Sequence, residues 1–187
     1  MTHAVIVTIA VLGVIAQVLV VILTVIAVLA LFGVRTPLEF LREVLWGYEL
    51  WCAFVVAAIA TGGSLFFSEI AGFVPCELCW YQRICMYPLS ILTLLGALAN
   101  DRRMARYLLP FPVIGAGISV YHLLVENGVV EQQQACLVTA GGCATKWINE
   151  FGYMTIPTLA LTGFALVFVF LLFASFEPEP ATLEADA

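Results

Sequence analysis

Cys76 and Cys79 are separated by two residues and stand directly before a long apolar stretch, and Arg83 follows four residues later. Two thiols at this spacing can close a strained disulfide that exchanges readily with other thiols. Disulfides of that kind are catalytic more often than structural. Arg83 is the only charge in the stretch that follows, and a charge within apolar sequence is costly and usually functional. The pattern indicates redox chemistry that is passed to a molecule in the lipid.

The composition is that of an integral membrane protein. Of the 187 residues, 63% are hydrophobic and 11% are charged, whereas a soluble domain is about half apolar and about one quarter charged. Four of the thirteen acidic residues lie in the last eleven positions, so the net charge of −6 belongs largely to the tail. The rest is close to neutral, and nothing in it is typical of a nucleic-acid-binding protein.

Five segments are long and apolar enough to cross a membrane, which takes about 20 apolar residues. They are residues 4–34, 50–67, 80–99, 107–125 and 151–176. The predicted fold is therefore an all-α integral membrane protein. The first segment has no basic region before it and is too long for a signal peptide, so we interpret it as a retained span.

A short amphipathic helix is predicted between the first two spans. Residues 36–39 form a capping box with proline at the first helical position, and Leu38, Leu41 and Leu45 then share one face. The remaining tail is rich in Glu and Pro and is predicted to be disordered. The expected division is residues 1–34 for an additional helix, 35–46 for the linker helix, 47–176 for the main bundle and 177–187 for an acidic cytoplasmic tail.

Basic residues set the expected orientation, because cytoplasmic loops carry more Lys and Arg. The loops after the first and third spans hold Arg35, Arg42, Arg102, Arg103 and Arg106. The two other loops hold only Lys146. The amino terminus is therefore predicted outside and the acidic tail inside. Four cysteines fall on the oxidising extracytoplasmic face, and they are Cys76, Cys79, Cys136 and Cys143. The other two, Cys52 and Cys85, lie within spans and are interpreted as buried apolar thiols.

Cys79 is expected at or just before the start of the third span. A helix amino terminus stabilises a thiolate, and Arg83 lies one turn further along the same face. Arg83 can support a thiolate at Cys79 or an anionic acceptor beside it. A quinone fits that role, because its reduced forms carry anionic oxygens that need a donor. The alternative interpretation is that Arg83 extends to the lipid headgroups.

Cys136 and Cys143 lie in a long polar loop, and the glycines between them allow a disulfide to close without strain. This pair is either an exchange partner for the first pair or a static staple. Four thiolates can also bind zinc, but here a span follows the first pair instead of a second knuckle, so no metal site is predicted. His122, about one turn from the outer end of the fourth span, either donates to a quinone oxygen or is an interfacial histidine.

Three pieces in this order resemble the DsbB (disulfide-bond formation protein B) family, in its compact-loop branch, over residues 46–176. They are the Cys-x-x-Cys-x-x-x-Arg motif, the Val-Tyr-His-Leu motif at residues 120–123 before a loop with two cysteines, and the Phe-Gly-Tyr-Met-Thr-Ile-Pro motif at residues 151–157. The resemblance implies a four-helix transmembrane bundle, to which this chain adds one N-terminal helix. The related vitamin K epoxide reductases have the opposite order of cysteine pairs.

The resemblance implies a protein-dithiol:quinone oxidoreductase of the bacterial plasma membrane. Such an enzyme reoxidises an extracytoplasmic thioredoxin-fold (DsbA-like) thiol oxidase and passes the electrons to a membrane quinone, either ubiquinone or menaquinone. By position, Cys136 is attacked by the partner and exchanges together with Cys143. Cys76 and Cys79 are the quinone-linked pair, and Arg83 and His122 are quinone-site residues.

Two other functions remain open from the sequence. The first is a transmembrane electron carrier that works in the reducing direction. Such a carrier needs cysteines that are accessible from the cytoplasm, and the two that could serve, Cys52 and Cys85, lack the spacing of a pair. The second is a non-enzymatic membrane protein with structural disulfides.

Overall fold

A computed structural model describes residues 2–34, 36–132, 136 and 142–175. Within these ranges the helices are α1 Thr2–Leu31, α2 Thr36–Leu45, α3 Glu49–Leu65, α4 Glu77–Ala99, α5 Met104–Leu108, α6 Pro110–Glu126 and α7 Ile156–Ser175. A π-helical turn, Phe66–Ile70, extends α3. Arg35 and the acidic tail, residues 177–187, lie outside the described residues. The division of the chain into domains stays a prediction.

The predicted all-α membrane fold with five spans is confirmed. The helical segments long and apolar enough to cross a membrane are Thr2–Ala30, Glu49–Ile70, Glu77–Ala99, Met104–Glu126 and Ile156–Ser175. Helices α3, α4, α6 and α7 form a four-helix bundle in which each one packs against two neighbours, and α1 packs against α7. The predicted helix α2 is present, and none of its residues is buried.

Most span boundaries differ from the prediction by a few residues, and two of the differences have a local cause. Helix α4 begins at Glu77 and not at residue 80, because Cys76 caps it and its Sγ accepts a hydrogen bond from the Cys79 N–H at 3.4 Å. Cys79 is thus the third residue of the helix. The last span begins at Ile156 and not at residue 151, because the backbone at Phe151 and Gly152 has φ values of 56° and 80°, which a helix does not accommodate.

Gly115 lets α6 and α7 approach closely in the centre of the bundle. The ring of Phe164, which is 1% exposed, occupies the space that a Cβ at Gly115 would take. Small residues at helix contacts are typical of membrane bundles, where association depends on van der Waals packing and lipid supplies no hydrophobic driving force. This contact fixes the position of α6 relative to α7.

A buried ion pair ties the start of α3 to the end of α4. Glu49 is 3% exposed and forms a salt bridge with Arg102, whose guanidinium carbon lies 4.0 Å from the centre of the Trp46 ring. The pairing of these two charges was not predicted from the sequence. The pair lies at the opposite end of α4 from Cys76 and stabilises the arrangement of helices without touching the cysteines.

Replacing Gly115 by alanine is expected to destabilise the bundle by about 1–3 kcal/mol, because the added methyl group overlaps the Phe164 ring in a packed interior. Gly117→Ala is the matched control. The space around Gly117 is open, so that variant should be as stable as the parent or more stable by about 1 kcal/mol. Thermal unfolding in detergent, followed by circular dichroism, measures both, and equal stability of the two variants would contradict the close approach.

Candidate active site

Helix α4 brings Cys76 and Cys79 into contact at its amino terminus. Cys76 is the N-cap residue and Cys79 lies in the first turn, so the two Sγ atoms are 3.0 Å apart. Both are free thiols, Cys76 buried and Cys79 partly buried. Because the sulfurs already touch, the pair can be oxidised to a disulfide with little movement of the backbone.

The surroundings of Cys76 favour its thiolate. The hydrogen bond from the Cys79 side chain is the main cause, and the hydrogen bond and charge of His122 add to it. Together they outweigh burial, which acts in the opposite direction, and they lower the pKa of Cys76 to about 4. The capping N–H of Cys79 contributes in the same sense. Cys76 therefore carries most of the negative charge of the reduced pair.

The second pair forms a disulfide. Cys136 and Cys143 are both buried and linked, with their Cα atoms 5.4 Å apart. The Cys143 N–H donates to Gln132 Oε1 at 3.1 Å, and this oxygen fills the space beside Gly142, which has a φ of 64°. Between Gln132 and Gly142, residues 133–135 and 137–141 lie outside the described part of the chain. This disulfide occupies two of the four sulfurs that the four-thiolate zinc site considered from the sequence would use.

His122 lies between the two cysteine pairs. Its Nε2 is 3.7 Å from Cys76 Sγ and 3.1 Å from the carbonyl oxygen of Cys143. Its Nδ1 is 3.5 Å from the amide nitrogen of Gln82, which also donates to Ser119 Oγ at 3.1 Å. An Nε2 proton can be donated to the Cys143 carbonyl or to Cys76 Sγ. The imidazole thus links α4, α6 and the disulfide loop.

A cavity of about 290 Å³ opens beside Cys79, between α1, α3, α4 and α7. Its polar lining residues include Cys79, Gln82, Arg83 and Ser64, and most of its other lining residues are apolar. An apolar cavity with a small number of convergent polar groups is typical of a site for a small organic ligand. His122 is not among its lining residues; it borders a smaller pocket together with Cys76 and Cys79.

Arg83 is held on the wall of this cavity by helix α3. Its Nε donates to Ser64 Oγ and its Nη2 to the Ser64 carbonyl oxygen, both at 3.0 Å. The guanidinium carbon also lies 5.1 Å from the centre of the Trp80 ring. Arg83 is 9% exposed, so its charge is kept inside the bundle and next to Cys79.

Four polar residues of this region were not identified as functional from the sequence. Gln82, itself bonded to Ser119, contacts His122, and Ser64 holds Arg83. The sequence feature that could have identified Gln82 is a single amide within an apolar span. Glu126 is 8% exposed and accepts a hydrogen bond from Thr155 Oγ1 at 2.8 Å. It borders the same small pocket as His122, and its signal was the spacing of four residues from His122 on one helix face.

The ligand atoms of Cys76, Cys79 and His122 lie within 4.8 Å of one another. Two thiols and one imidazole at this distance are a set that a metal ion can use. The same three side chains form the dithiol and its hydrogen-bond partner, so metal binding would compete with formation of the disulfide.

A family model described as "Disulfide bond formation protein DsbB" matches residues 48–174. The chain belongs to the DsbB family. The match begins at the start of α3 and ends in α7, so it contains all four helices of the bundle and leaves α1 and α2 outside. As a DsbB-family protein with five apolar helices, it is a multi-pass membrane protein of the disulfide-formation type.

Curated relatives agree with this assignment. The chain is 45% identical to "Disulfide bond formation protein C" of Bacillus subtilis over 122 residues, 65% of this chain and 88% of that protein. It is 43% identical to "Probable disulfide formation protein C 1" of Bacillus anthracis over 128 residues, 68% of this chain and 92% of that protein. It is 40% identical to "Probable disulfide formation protein" of Deinococcus radiodurans over 133 residues, 66% of this chain and 86% of that protein. No solved structure matches the chain.

The low pKa of Cys76 predicts a thiolate that persists in mildly acidic solution. A lowered pKa means that the thiolate is present above about pH 4 and is lost only when the pH falls through that value, whereas a free cysteine is protonated below about pH 8.5. The measurement is the ultraviolet absorbance of the thiolate against pH, in a reduced variant with Cys136 and Cys143 replaced by serine. His122→Phe should move the midpoint upward. A midpoint in the ordinary range for cysteine in both proteins would contradict the proposed surroundings of Cys76.

Proposed function

We propose that this DsbB-family protein oxidises an extracytoplasmic thioredoxin-fold thiol oxidase and transfers the electrons to a membrane quinone. One observation carries the proposal: Cys79 contacts Cys76 on one side and lines the apolar cavity beside Arg83 on the other. A dithiol at that position can be oxidised by a molecule that enters from the lipid. A structural disulfide would need neither the cavity nor the buried charge.

Electrons enter at the outer pair. A thiolate of the reduced partner attacks Cys136, which forms a mixed disulfide and releases Cys143 as a thiolate. The partner's second thiol then attacks the mixed disulfide, so the partner leaves oxidised and Cys136 and Cys143 are a dithiol. The Cys143 thiolate attacks the Cys76–Cys79 disulfide at Cys76, and Cys79 leaves. Attack by Cys136 on the resulting Cys143–Cys76 bond restores the outer disulfide and leaves Cys76 and Cys79 reduced.

The pairing found here, a disulfide at Cys136–Cys143 and a dithiol at Cys76 and Cys79, corresponds to the state after this exchange. A bound quinone would accept two electrons and two protons and become a quinol, which restores the Cys76–Cys79 disulfide. Arg83 would lie beside the acceptor oxygen and stabilise negative charge on it. Ser64 keeps the guanidinium in place through two hydrogen bonds.

His122 is assigned to the exchange between the pairs. Its Nε2 lies near both Cys76 Sγ and the backbone of Cys143, so it can stabilise negative charge on Cys76 and hold the loop close to it. Its predicted contact with the quinone stays a prediction. Glu126, one turn further along α6, borders the same pocket and is held there by the Thr155 hydroxyl.

Both cysteine pairs are assigned to the extracytoplasmic side, with the amino terminus outside and the tail in the cytoplasm. The support is that Arg102, Arg103 and Arg106 follow the end of α4 that is opposite to the cysteines, and basic loops stay in the cytoplasm. An extracytoplasmic position also suits a stable disulfide, because that compartment is oxidising. It also places Cys136 on the same side of the membrane as such a partner.

The proposal predicts which residues quinone reduction needs. Purified protein supplied with a reduced thioredoxin-fold oxidase should reduce a quinone, and Cys79→Ser should abolish the reaction because the pair can no longer close. Arg83→Gln should lower kcat/KM for the quinone by about 100-fold, the effect of one lost charge-stabilising donor. Arg106→Gln is the control, since Arg106 is exposed at the opposite end, and it should match the parent. Quinone reduction by Cys79→Ser at the parental rate would refute the mechanism.

The two roles of His122 can be separated by kinetics. His122→Asn should slow partner-driven quinone reduction by about tenfold, the loss of one hydrogen bond to a charged group, and leave the KM for quinone unchanged. A direct dithiol reductant that bypasses Cys136 and Cys143 supplies the comparison, and its maximal rate should fall less. If instead the KM for quinone rises and the partner-driven rate at saturating quinone is unchanged, His122 acts at the quinone.

A further inference from the structure

Helix α1 lies outside the family match. The match begins at residue 48, whereas α1 ends at Leu31 and is nevertheless packed against α7 of the bundle. A fifth helix that only anchored the chain would need no defined position against the other four. Helix α1 instead packs against α7 on one side and lines the cavity beside Cys79.

One face of α1 is shaped to dock on α7. Ala10 is fully buried, and Gly13 allows an approach so close that a Cβ there would overlap the Leu159 side chain. Gln17 continues the same face. Its Nε2 donates to Thr162 Oγ1 at 3.4 Å and its Oε1 accepts from the Tyr153 hydroxyl at 3.1 Å.

These two hydrogen bonds specify the rotation of α1. An amide within an apolar span is costly unless it finds a partner on another helix. By contrast, Thr8 and Thr24 on α1 donate to carbonyls of their own helix and therefore specify nothing about its neighbours. Gln17 is the polar contact that fixes which face of α1 turns toward the bundle.

The face presented in this way forms one wall of the cavity beside Cys79. The residues that α1 contributes are Ile9, Leu12, Gly13, Ile15, Ala16 and Leu19. From the first to the last of them the helix rises about 15 Å. The wall therefore extends well beyond the polar groups at Cys79 and Arg83.

The two ends of this wall lie at different depths. The side chain of Ile9 lies beside Gly63, next to the serine that holds Arg83. Ala16 and Val56, each seven residues along its helix from that contact, also line the cavity, and seven residues correspond to about 10 Å of helix rise. Most residues that line this deep part are apolar; Thr162, the partner of Gln17, is a polar exception.

We propose that α1 is the wall that positions the hydrocarbon tail of the quinone, while the ring lies at Cys79 and Arg83. The identity of the ligand rests on the function proposed above; the role of α1 as a binding wall rests on the cavity. Within a bilayer, a tail gains nothing from leaving water, so its binding depends on van der Waals contact and fit. A wall of apolar side chains supplied by a docked helix provides that contact, and makes affinity depend on the tail.

The test compares two alanines on α1. Ala16→Phe fills the deep part of the cavity, whereas Ala27→Phe adds the same ring at an exposed position that does not line it. Reduction rates are measured with a quinone that carries a polyprenyl tail and with a tail-less quinone of the same ring. Ala16→Phe should raise the KM for the tailed quinone by about tenfold and change the KM for the tail-less one little. Ala27→Phe should match the parent with both.

Binding is measured separately, without any thiol donor, as quenching of tryptophan fluorescence by the tailed quinone; Trp147 lines the cavity, and neither variant adds a tryptophan. Loss of quenching in Ala16→Phe, with normal quenching in Ala27→Phe, supports the role of α1. If the parent binds the quinone but does not reduce it, only the proposed electron transfer is overturned. Equal quenching in both variants, or no binding by the parent, overturns the role of α1.

Gln17→Leu checks the docking contact without filling the cavity. It removes the hydrogen bonds to Thr162 and Tyr153 and should weaken binding of the tailed quinone in the same direction as Ala16→Phe. Thr24→Val is the matched control, because Thr24 bonds only within its helix. Elution as a monodisperse species by gel filtration shows that each variant is folded. Gln17→Leu binding as tightly as the control would contradict the docking argument.

Discussion

Polar side chains buried among these helices have to find their partners inside the bundle, because the hydrocarbon core offers no water. This constraint ties the site together. Arg83 is bound by Ser64 of α3, and Gln82 by Ser119 and His122 of α6. Each contact joins two helices, so the polar groups that serve chemistry also determine how the helices are rotated relative to one another.

The same constraint concentrates charge around the pair Cys76 and Cys79. Cys76 is buried, yet a neighbouring thiol, a histidine and the capping N–H of α4 favour its thiolate. On the far side of Cys79, the guanidinium of Arg83 faces the cavity. The Cys76 thiolate borders the outer pocket and the Arg83 guanidinium lines the cavity, so Cys79 lies between a negative and a positive group. The buried pair of Glu49 and Arg102 lies far from these groups and stabilises the opposite end.

Much of this could be predicted from the chain alone. The five spans follow from apolar runs of sufficient length, and the two cysteine pairs follow from their spacing in the sequence. The start of α4 was placed three residues too late, because a cysteine was not considered as a helix cap. Glu126 lies just past the predicted end of the fourth span, and nothing in the sequence pairs it with Thr155, which is 29 residues further along the chain. His122 was predicted as a candidate quinone-site residue, but its position between the cysteine pairs depends on a loop that the sequence does not position.

The sequence by itself determined local properties: which segments are apolar, where helices begin and end to within a few residues, and which side chains carry thiol, imidazole or guanidinium groups. Tertiary structure decided which of these groups meet. It placed Ser64 under Arg83, His122 against Cys76, and α1 along the cavity. The reason is physical. A transmembrane helix satisfies its own backbone and is stable without its neighbours, so its rotation and its partners are settled by close packing and a few polar contacts between helices.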